Sequence, residues 1–219
     1  MNYELVEHPL TPSPRVETRR LDVRTPDPDA QLVARWQDGE AGAFEALVVR
    51  HQGPVYRLLR RMLGSREEAE DVAQEAFLNL HRHGHRFRGE ARFSTFVYRV
   101  AANAALNRRR TLGRRRARER QLAQERAPRS DLPTAPRDPE DAASGAEVQA
   151  QVQRALLELQ PDLRLASILH EIEGVPYSEI ARILRIPEGT VKSRIHRARK
   201  ALRDRLRPFV GVEPRSQKP

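Results

Sequence analysis

The sequence predicts an all-α protein of two small helical domains joined by a flexible linker, with a helix-turn-helix in the C-terminal domain. Apolar residues recur at helical spacing in two separate stretches, and the β-branched runs typical of strands are scarce. The segment between the two stretches is polar and proline-rich, so it has little to bury. Hydrophobic residues make up 38% and aromatic residues 5% of the 219 residues, whereas 32% are charged. This balance favours two small cores over one large core.

Composition divides the chain into five segments. Residues 1–28 are rich in proline and charge and lack periodicity, so we expect a disordered N-terminal arm. Residues 29–110 form the first helical domain, and residues 146–209 form the second. Between them, residues 111–145 form the flexible linker, which begins as an Arg-rich helical extension. Residues 210–219 form a short polar tail.

Glycines and polar caps set the helix boundaries of the first domain. Gly39 and Gly42 are expected to interrupt its first helices, and Gly64 to end the next one. Ser65 is expected to cap the following helix, with Glu68 at the capping-box position. The pattern therefore predicts at least three helices before residue 84.

That third helix, over residues 65–82, carries an acidic stripe. Glu68, Asp71, Glu75 and Asn79 share one face, opposite an apolar face. In so basic a chain, such a stripe suggests a docking face for a basic partner helix. An ordinary solvated face is the alternative. A Mg²⁺ site on the carboxylates is less favoured, because no further catalytic group joins them.

A basic, aromatic helix follows a glycine-containing loop. Residues 87–93 form the loop, and residues 94–110 form a helix that Ser94 or Thr95 can cap. Aromatic side chains beside Arg and Asn suit the binding of unstacked bases. The alternative is that the phenylalanines are core residues, which is the favoured interpretation for Phe96. The alternating histidines 81, 83 and 85 do not share one helix face, so no zinc site is expected.

The clearest local pattern lies in the second domain. Residues 177–184 and 188–202 form two helices separated by residues 185–187, and helices joined by so short a turn cross steeply, as in a helix-turn-helix. Ser178 can cap the first helix, and Pro187 can stop it. The second helix has an apolar stripe of Val191, Ile195, Ala198 and Leu202. Its opposite face is basic. A solvated basic helix is the alternative, but the preceding helix and turn favour a helix that reads the major groove.

Charge and composition limit the class of function further. Lys and Arg number 40 against 30 Asp and Glu, and the net charge of +10 predicts attraction to nucleic acid. The chain has no Cys, which excludes disulfides, thiolate metal sites and thiol catalysis. Phosphate-loop, HExxH and GxSxG motifs are missing as well, so we expect no cofactor and no catalysis. We also expect no direct membrane insertion, because no apolar run is long enough to span a bilayer.

Three segments together resemble the sigma-70 family of bacterial RNA polymerase sigma factors, specifically the extracytoplasmic-function group. Residues 69–77 are similar to region 2.2, residues 93–110 to regions 2.3 and 2.4, and residues 177–202 to region 4.2. Two positions depart from the family pattern. Phe96 stands where the family usually has Trp, and Asn107 stands where it usually has Asp.

The resemblance implies three sets of contacts. Core RNA polymerase would be bound by Asp71, Gln74 and Glu75. The −10 promoter element would be contacted by Phe87, Phe93, Arg99 and Asn103. The −35 element would be contacted by Lys192, Ser193, His196, Arg197 and Lys200.

The implied function is promoter recognition and DNA melting in transcription initiation, without catalysis, in the bacterial cytoplasm at the nucleoid. Core RNA polymerase and promoter DNA would be the partners, and many relatives also bind an anti-sigma factor. The linker, with a root-mean-square span of about 35 Å, suits elements one to two helical turns apart. The alternative is a free-standing helix-turn-helix transcriptional regulator, which would leave the acidic stripe idle. A metal-dependent nucleic-acid enzyme using Glu68, Asp71 and Glu75 is a weaker alternative.

Overall fold

The structure is a computed structural model that describes residues 26–84, 87–126 and 144–210. These residues form helices and turns and contain no strand, as the sequence predicts. The interpretations of residues 1–25, of the proline-rich part of the linker and of residues 211–219 lie outside the described residues.

Two groups of helices follow one another along the chain. The first group comprises α1 (Ala30–Gln37), α2 (Ala43–Leu63), α3 (Arg66–His83) and α4 (Phe93–Arg126). The second comprises α5 (Ser144–Glu158), α6 (Pro161–Ser167), a π-helical turn (Ile168–Ile172), α7 (Tyr177–Leu184) and α8 (Glu188–Val210). The Arg-rich start of the linker continues α4 as a helix, as the sequence predicts.

The boundary between α2 and α3 forms as predicted. Gly64 ends α2 with a φ of 86°, a left-handed conformation that glycine adopts without strain. The Ser65 hydroxyl then accepts a hydrogen bond of 3.2 Å from the Glu68 amide, which caps α3. Both signals lie within a few residues of the boundary, so they are visible in the sequence.

Two predicted helix caps are wrong. At the start of α4, the Phe93 amide donates to the Asp27 carboxylate at 2.6 Å, so neither Ser94 nor Thr95 is the cap. Asp27 lies 66 positions earlier, and only the packing of the chain brings it there. In the second group, α7 already begins at Tyr177 after Pro176, so Ser178 lies inside its first turn.

The helix-turn-helix itself is confirmed. Arg185 adopts a left-handed conformation with a φ of 55°, which lets the chain turn sharply after α7. The Pro187 carbonyl accepts hydrogen bonds from the Thr190 amide at 2.9 Å and the Val191 amide at 3.2 Å, which starts α8. The turn is therefore short, and α7 and α8 pack directly against each other.

The two helical groups contact each other. Helix α7 lies against α4, while α5 and α6 lie against the C-terminal half of α2. The apolar residues of both groups, from Val33 to Ala198, consequently form one continuous hydrophobic cluster. Sequence periodicity indicates which face of each helix is buried, but not which helix covers it.

Candidate nucleic-acid and protein interfaces

Helix α8 is fixed by its apolar stripe and presents its polar face to solvent. Val191, Ile195 and Ala198 are each no more than 1% exposed. All five residues predicted to contact the −35 element lie on the surface: Lys192, Ser193, His196, Arg197 and Lys200. The helix can therefore enter a groove without rearrangement of its own side chains.

Ion pairs divide the basic residues of α8 into two classes. Four of them face acidic residues: Lys192 with Glu188 at 2.9 Å, Arg194 with Asp162 at 2.9 Å, Arg199 with Glu171 at 2.7 Å, and Arg205 with Glu158 at 2.8 Å. The hydrogen bond from Lys192 to Glu188 also raises the pKa of the ammonium group. Arg197, Lys200 and Arg203 form no ion pair within the described part of the chain, so their charge is available to a polyanion.

An aromatic cluster holds the loop before α4. Phe93 is 1% exposed, and its ring meets Phe87 edge-on at 5.5 Å between centroids. Phe87 also lies 5.3 Å from Phe96. The Gln37 amide group donates to the Phe87 carbonyl at 2.9 Å, which ties the loop to α1. Phe93 thus anchors the loop from below, while Phe87 is half-buried at its edge.

The loop borders a cleft of about 590 Å³. One wall consists of loop residues 87–92, and α1 contributes a second wall. The third wall comes from the other helical group, through Glu179 and Arg182 of α7. Next to the cleft, the Arg99 guanidinium lies over the Phe96 ring at 5.2 Å from its centroid. Burial, together with the charge of Arg185, lowers the pKa of Arg99. Asn103 is exposed about one turn further along α4.

The acidic stripe on α3 is exposed but partly neutralised. The Asp71 side chain is 69% exposed, and Gln74 and Glu75 also lie on the surface. Arg108 of α4 pairs with Glu68 and approaches Asp71 at 3.5 Å. The hydrogen bond to Glu68 is the main reason why the pKa of Arg108 is raised.

Two residues of this surface were missed by sequence reasoning. Arg108 belongs to a distant helix, so no local pattern places it there. Leu78 is 50% exposed and lies on the same face of α3 as Asp71 and Glu75. Its helical spacing from Asp71 was a usable signal. The surface is therefore a mixed apolar and acidic patch, which suits a protein partner better than a metal ion.

The structure offers no support for a metal centre or a membrane segment. In residues 26–84, 87–126 and 144–210, no three His, Cys, Asp or Glu side chains are placed to hold a metal ion. His85, one of the three histidines considered for zinc, lies outside the described residues. None of the described helices combines the length and apolarity needed to cross a membrane.

An all-α fold with a helix-turn-helix, a loop cleft beside a basic aromatic helix and an acidic docking patch defines a DNA-binding transcription protein. Two family models match the chain: Sigma-70 region 2 over residues 47–115, and Sigma-70, region 4 over residues 149–202. The chain is 39% identical to the RNA polymerase sigma-H factor of Pseudomonas aeruginosa, over 85% of this chain and 97% of that protein. It is 40% identical to the ECF RNA polymerase sigma-E factor of Haemophilus influenzae, over 83% of this chain and 97% of that protein.

Solved structures share the fold. CnrH, solved in complex with the cytosolic domain of CnrY, matches with a TM-score of 0.60 and 23% identity, over 82% of this chain and 97% of that chain. The sigma factor RpoE, solved with the anti-sigma factor NepR from Bartonella quintana, matches with a TM-score of 0.56 and 21% identity, over 77% of this chain and 98% of that chain.

The chain belongs to the sigma-70 family of RNA polymerase sigma factors, in its extracytoplasmic-function group. It is therefore a sigma factor of transcription initiation and not a free-standing regulator.

Proposed function

We propose that the patch formed by Asp71, Gln74, Glu75 and Leu78 binds core RNA polymerase. The exposed carboxylates would face basic side chains, and Leu78 would supply apolar contact at the centre. Arg108 sits at the edge of this patch, where it neutralises Glu68 and leaves Glu75 as the stronger anionic position. The coexistence of this patch with two nucleic-acid surfaces on one chain is the observation that carries the proposal.

The cleft beside α4 would bind bases of the −10 element after they leave the duplex. Phe87 offers an aromatic edge, and Arg99 and Asn103 offer hydrogen bonds along α4. The role of Phe93 in this proposal is to anchor the loop, since its ring is buried. Binding energy to the unpaired bases would offset the loss of base pairing, so melting needs no ATP.

Helix α8 would read the −35 element as a duplex. His196 and Arg197 can reach base edges from the exposed face, and Ser193 lies one turn before Arg197. Lys192 and Lys200 would hold phosphates at the two ends of this face. Because Lys192 is paired with Glu188, its contribution requires exchange of that partner for phosphate.

The protein would act without chemistry of its own, in the bacterial cytoplasm at the nucleoid, where polymerase and DNA are found. An anti-sigma protein is proposed as a third partner, because the sigma factor RpoE of similar fold was solved bound to one. Such a partner would compete for the same surfaces.

Run-off transcription from supercoiled promoter fragments tests the proposal. Purified core polymerase is supplied with the wild-type protein, with Asp71→Arg or with Glu45→Arg. Glu45 is exposed on α2, away from the patch, so its substitution makes the same change in charge elsewhere. We expect defined start sites with the wild type and Glu45→Arg, and their loss with Asp71→Arg. If the wild-type protein gives no start sites, the proposed function is wrong. If Asp71→Arg is as active as the wild type, the docking patch is wrong.

A further inference from the structure

We propose that the protein alone adopts a closed conformation in which α7 of the helix-turn-helix covers the −10 cleft, and that the two helical groups must separate before bases can be bound. This inference concerns regulation of the −10 cleft and rests on the proposed function of that cleft. It is carried by three sets of contacts between the groups and by the spacing of promoter elements.

The first contact closes the cleft directly. The Thr95 hydroxyl of α4 donates a hydrogen bond of 2.6 Å to the Glu179 carboxylate of α7. Both residues are buried, at 5% and 3% exposure. Glu179 and its neighbour Arg182, which pair at 2.9 Å, form the wall of the cleft opposite loop residues 87–92. A base entering from that side would have to displace α7.

The second contact involves a carboxylate that both helical groups share. Glu173 follows the π-helical turn, and its side chain is 2% exposed. It accepts hydrogen bonds from Arg57 of α2 at 3.0 Å and from the Tyr98 hydroxyl of α4 at 3.2 Å. Burial, together with the negative charge of Glu173, raises the pKa of Tyr98, which is consistent with a water-excluded contact.

The third contact joins the C-terminal end of α2 to α5 and α6. Arg164 is fully buried and donates a hydrogen bond of 2.7 Å to the Met62 carbonyl in the last turn of α2. Gln153 donates to the Arg61 carbonyl at 3.2 Å. Leu157 packs so closely on Gly64 that an added Cβ would lie 2.7 Å from its Cδ1. Contacts of this density resemble a protein interior more than a passing collision of tethered domains.

Promoter geometry makes this conformation incompatible with engaged DNA. The −10 and −35 elements lie one to two helical turns apart, about 35–70 Å along the duplex. Here α7, which packs directly on the reading helix α8, is in contact with α4. The two groups therefore cannot occupy both elements until they separate. The docking patch and the exposed face of α8 stay accessible in the closed conformation, so only the −10 cleft is covered.

Docking on polymerase is the event that can open the protein. A partner shifts such an equilibrium only by the difference between its affinities for the two states. Core polymerase bound to both helical groups at separate places would favour the open state in this way. The device would keep the −10 cleft from unrelated single strands until polymerase is present.

The test measures the distance between two spin labels by pulsed electron resonance. The chain has no native Cys, so the exposed positions Val49→Cys on α2 and Asp204→Cys on α8 can be labelled specifically. We expect one narrow, short distance for the free protein. Arg57→Glu, at a side chain that is 54% exposed, should broaden and lengthen it, and the exchanged pair Arg57→Glu with Glu173→Arg should restore it. Circular dichroism checks that each variant is folded.

Addition of core polymerase to the labelled wild-type protein completes the test. We expect the short distance to be replaced by one longer by about 20 Å or more, in keeping with elements at least one helical turn apart. A broad distribution in the free wild-type protein would overturn the closed conformation. Persistence of the short distance with polymerase bound would overturn its role as a switch. Neither outcome touches the transcription assay, so failure of this inference is distinguishable from failure of the proposed function.

Discussion

Thr95 donates a hydrogen bond of 2.6 Å to the buried carboxylate of Glu179, although the two residues are 84 positions apart and belong to different helical groups. The first helix of the helix-turn-helix is thereby tied to the helix that carries the −10 residues. Five predictions follow from this and other contacts.

Replacement of Thr95 by Val removes this hydrogen bond while keeping the shape of the side chain. A hydrogen bond to a charged, buried acceptor contributes roughly 1.5–3 kcal/mol, so we expect a loss of that size in the free energy of unfolding. Urea denaturation measures it. Thr111→Val, on the exposed part of α4, is the matched control and should change stability by less than about 0.5 kcal/mol. Equal effects at both positions would contradict the contact.

Arg164→Met tests the buried guanidinium. The change removes the hydrogen bonds from Arg164 to the carbonyls of Met62 at 2.7 Å and Leu159 at 3.0 Å. Buried carbonyls left without donors should lower the free energy of unfolding by about 3 kcal/mol. Arg154→Met, exposed on α5, is the control and should be nearly neutral. A loss below about 1 kcal/mol for Arg164→Met would show that water replaces its hydrogen bonds.

Asp29 should make stability depend on pH. Burial raises the pKa of Asp29, but the hydrogen bonds and charges of His51 and Arg50 outweigh burial and hold it below the ordinary value of 3.8. The ionised carboxylate therefore adds stability above pH 3.8 that is lost as the pH falls through the lowered pKa.

Thermal unfolding of Asp29→Asn across acid pH checks this prediction. The variant should be less stable than the wild type near neutral pH, and the difference should shrink in the acid range. Asp38→Asn, at an exposed position, supplies the control. A difference that stays constant down to the most acid pH would exclude the ionised form of Asp29 as its source.

Gly84→Ala should disturb the aromatic cluster. A Cβ at residue 84 would lie 1.7 Å from the Trp36 ring, so the ring must move. Overpacking of this kind lowers stability by roughly 1–3 kcal/mol. Trp36 is the single Trp of the chain, so its fluorescence reports the change directly. Gly113→Ala, with no heavy atom within 4 Å of the added Cβ, is the control and should leave the spectrum unchanged.

Arg197 and Arg194 should differ in their effect on promoter binding. Arg197 is exposed, whereas Arg194 is paired with Asp162 at 2.9 Å and turned towards α6. With polymerase present, Arg197→Ala should weaken binding to promoter duplex by roughly 1–3 kcal/mol. Arg194→Ala should act on thermal stability and leave the affinity largely unchanged. Gel-shift titration measures the affinities, and the reverse ranking would contradict the proposed face of α8.

Local patterns were enough for much of the fold and of the proposed sites. The cap at Ser65, the turn before Pro187 and the apolar stripe beginning at Val191 depend on residues within one or two helical turns of each other. Such interactions are written in sequence spacing. The same spacing places the predicted docking and reading residues on exposed helix faces, because the apolar residues beside them must be buried.

Long-range contacts were beyond this kind of reasoning. Asp27 caps α4 at Phe93, Arg108 neutralises Glu68, and Arg164 is buried without a carboxylate beside it among its hydrogen-bond acceptors, which are backbone carbonyls. None of these pairs has a fixed spacing, since each depends on how whole helices pack.

The sequence by itself therefore determined the all-α class, the helix-turn-helix and the family. Only the tertiary structure decided that the two helical groups share one hydrophobic cluster and that α7 covers the −10 cleft. The physical reason is that helix formation and amphipathic spacing are local. The choice of which apolar faces meet is made by desolvation and packing between segments far apart in the chain.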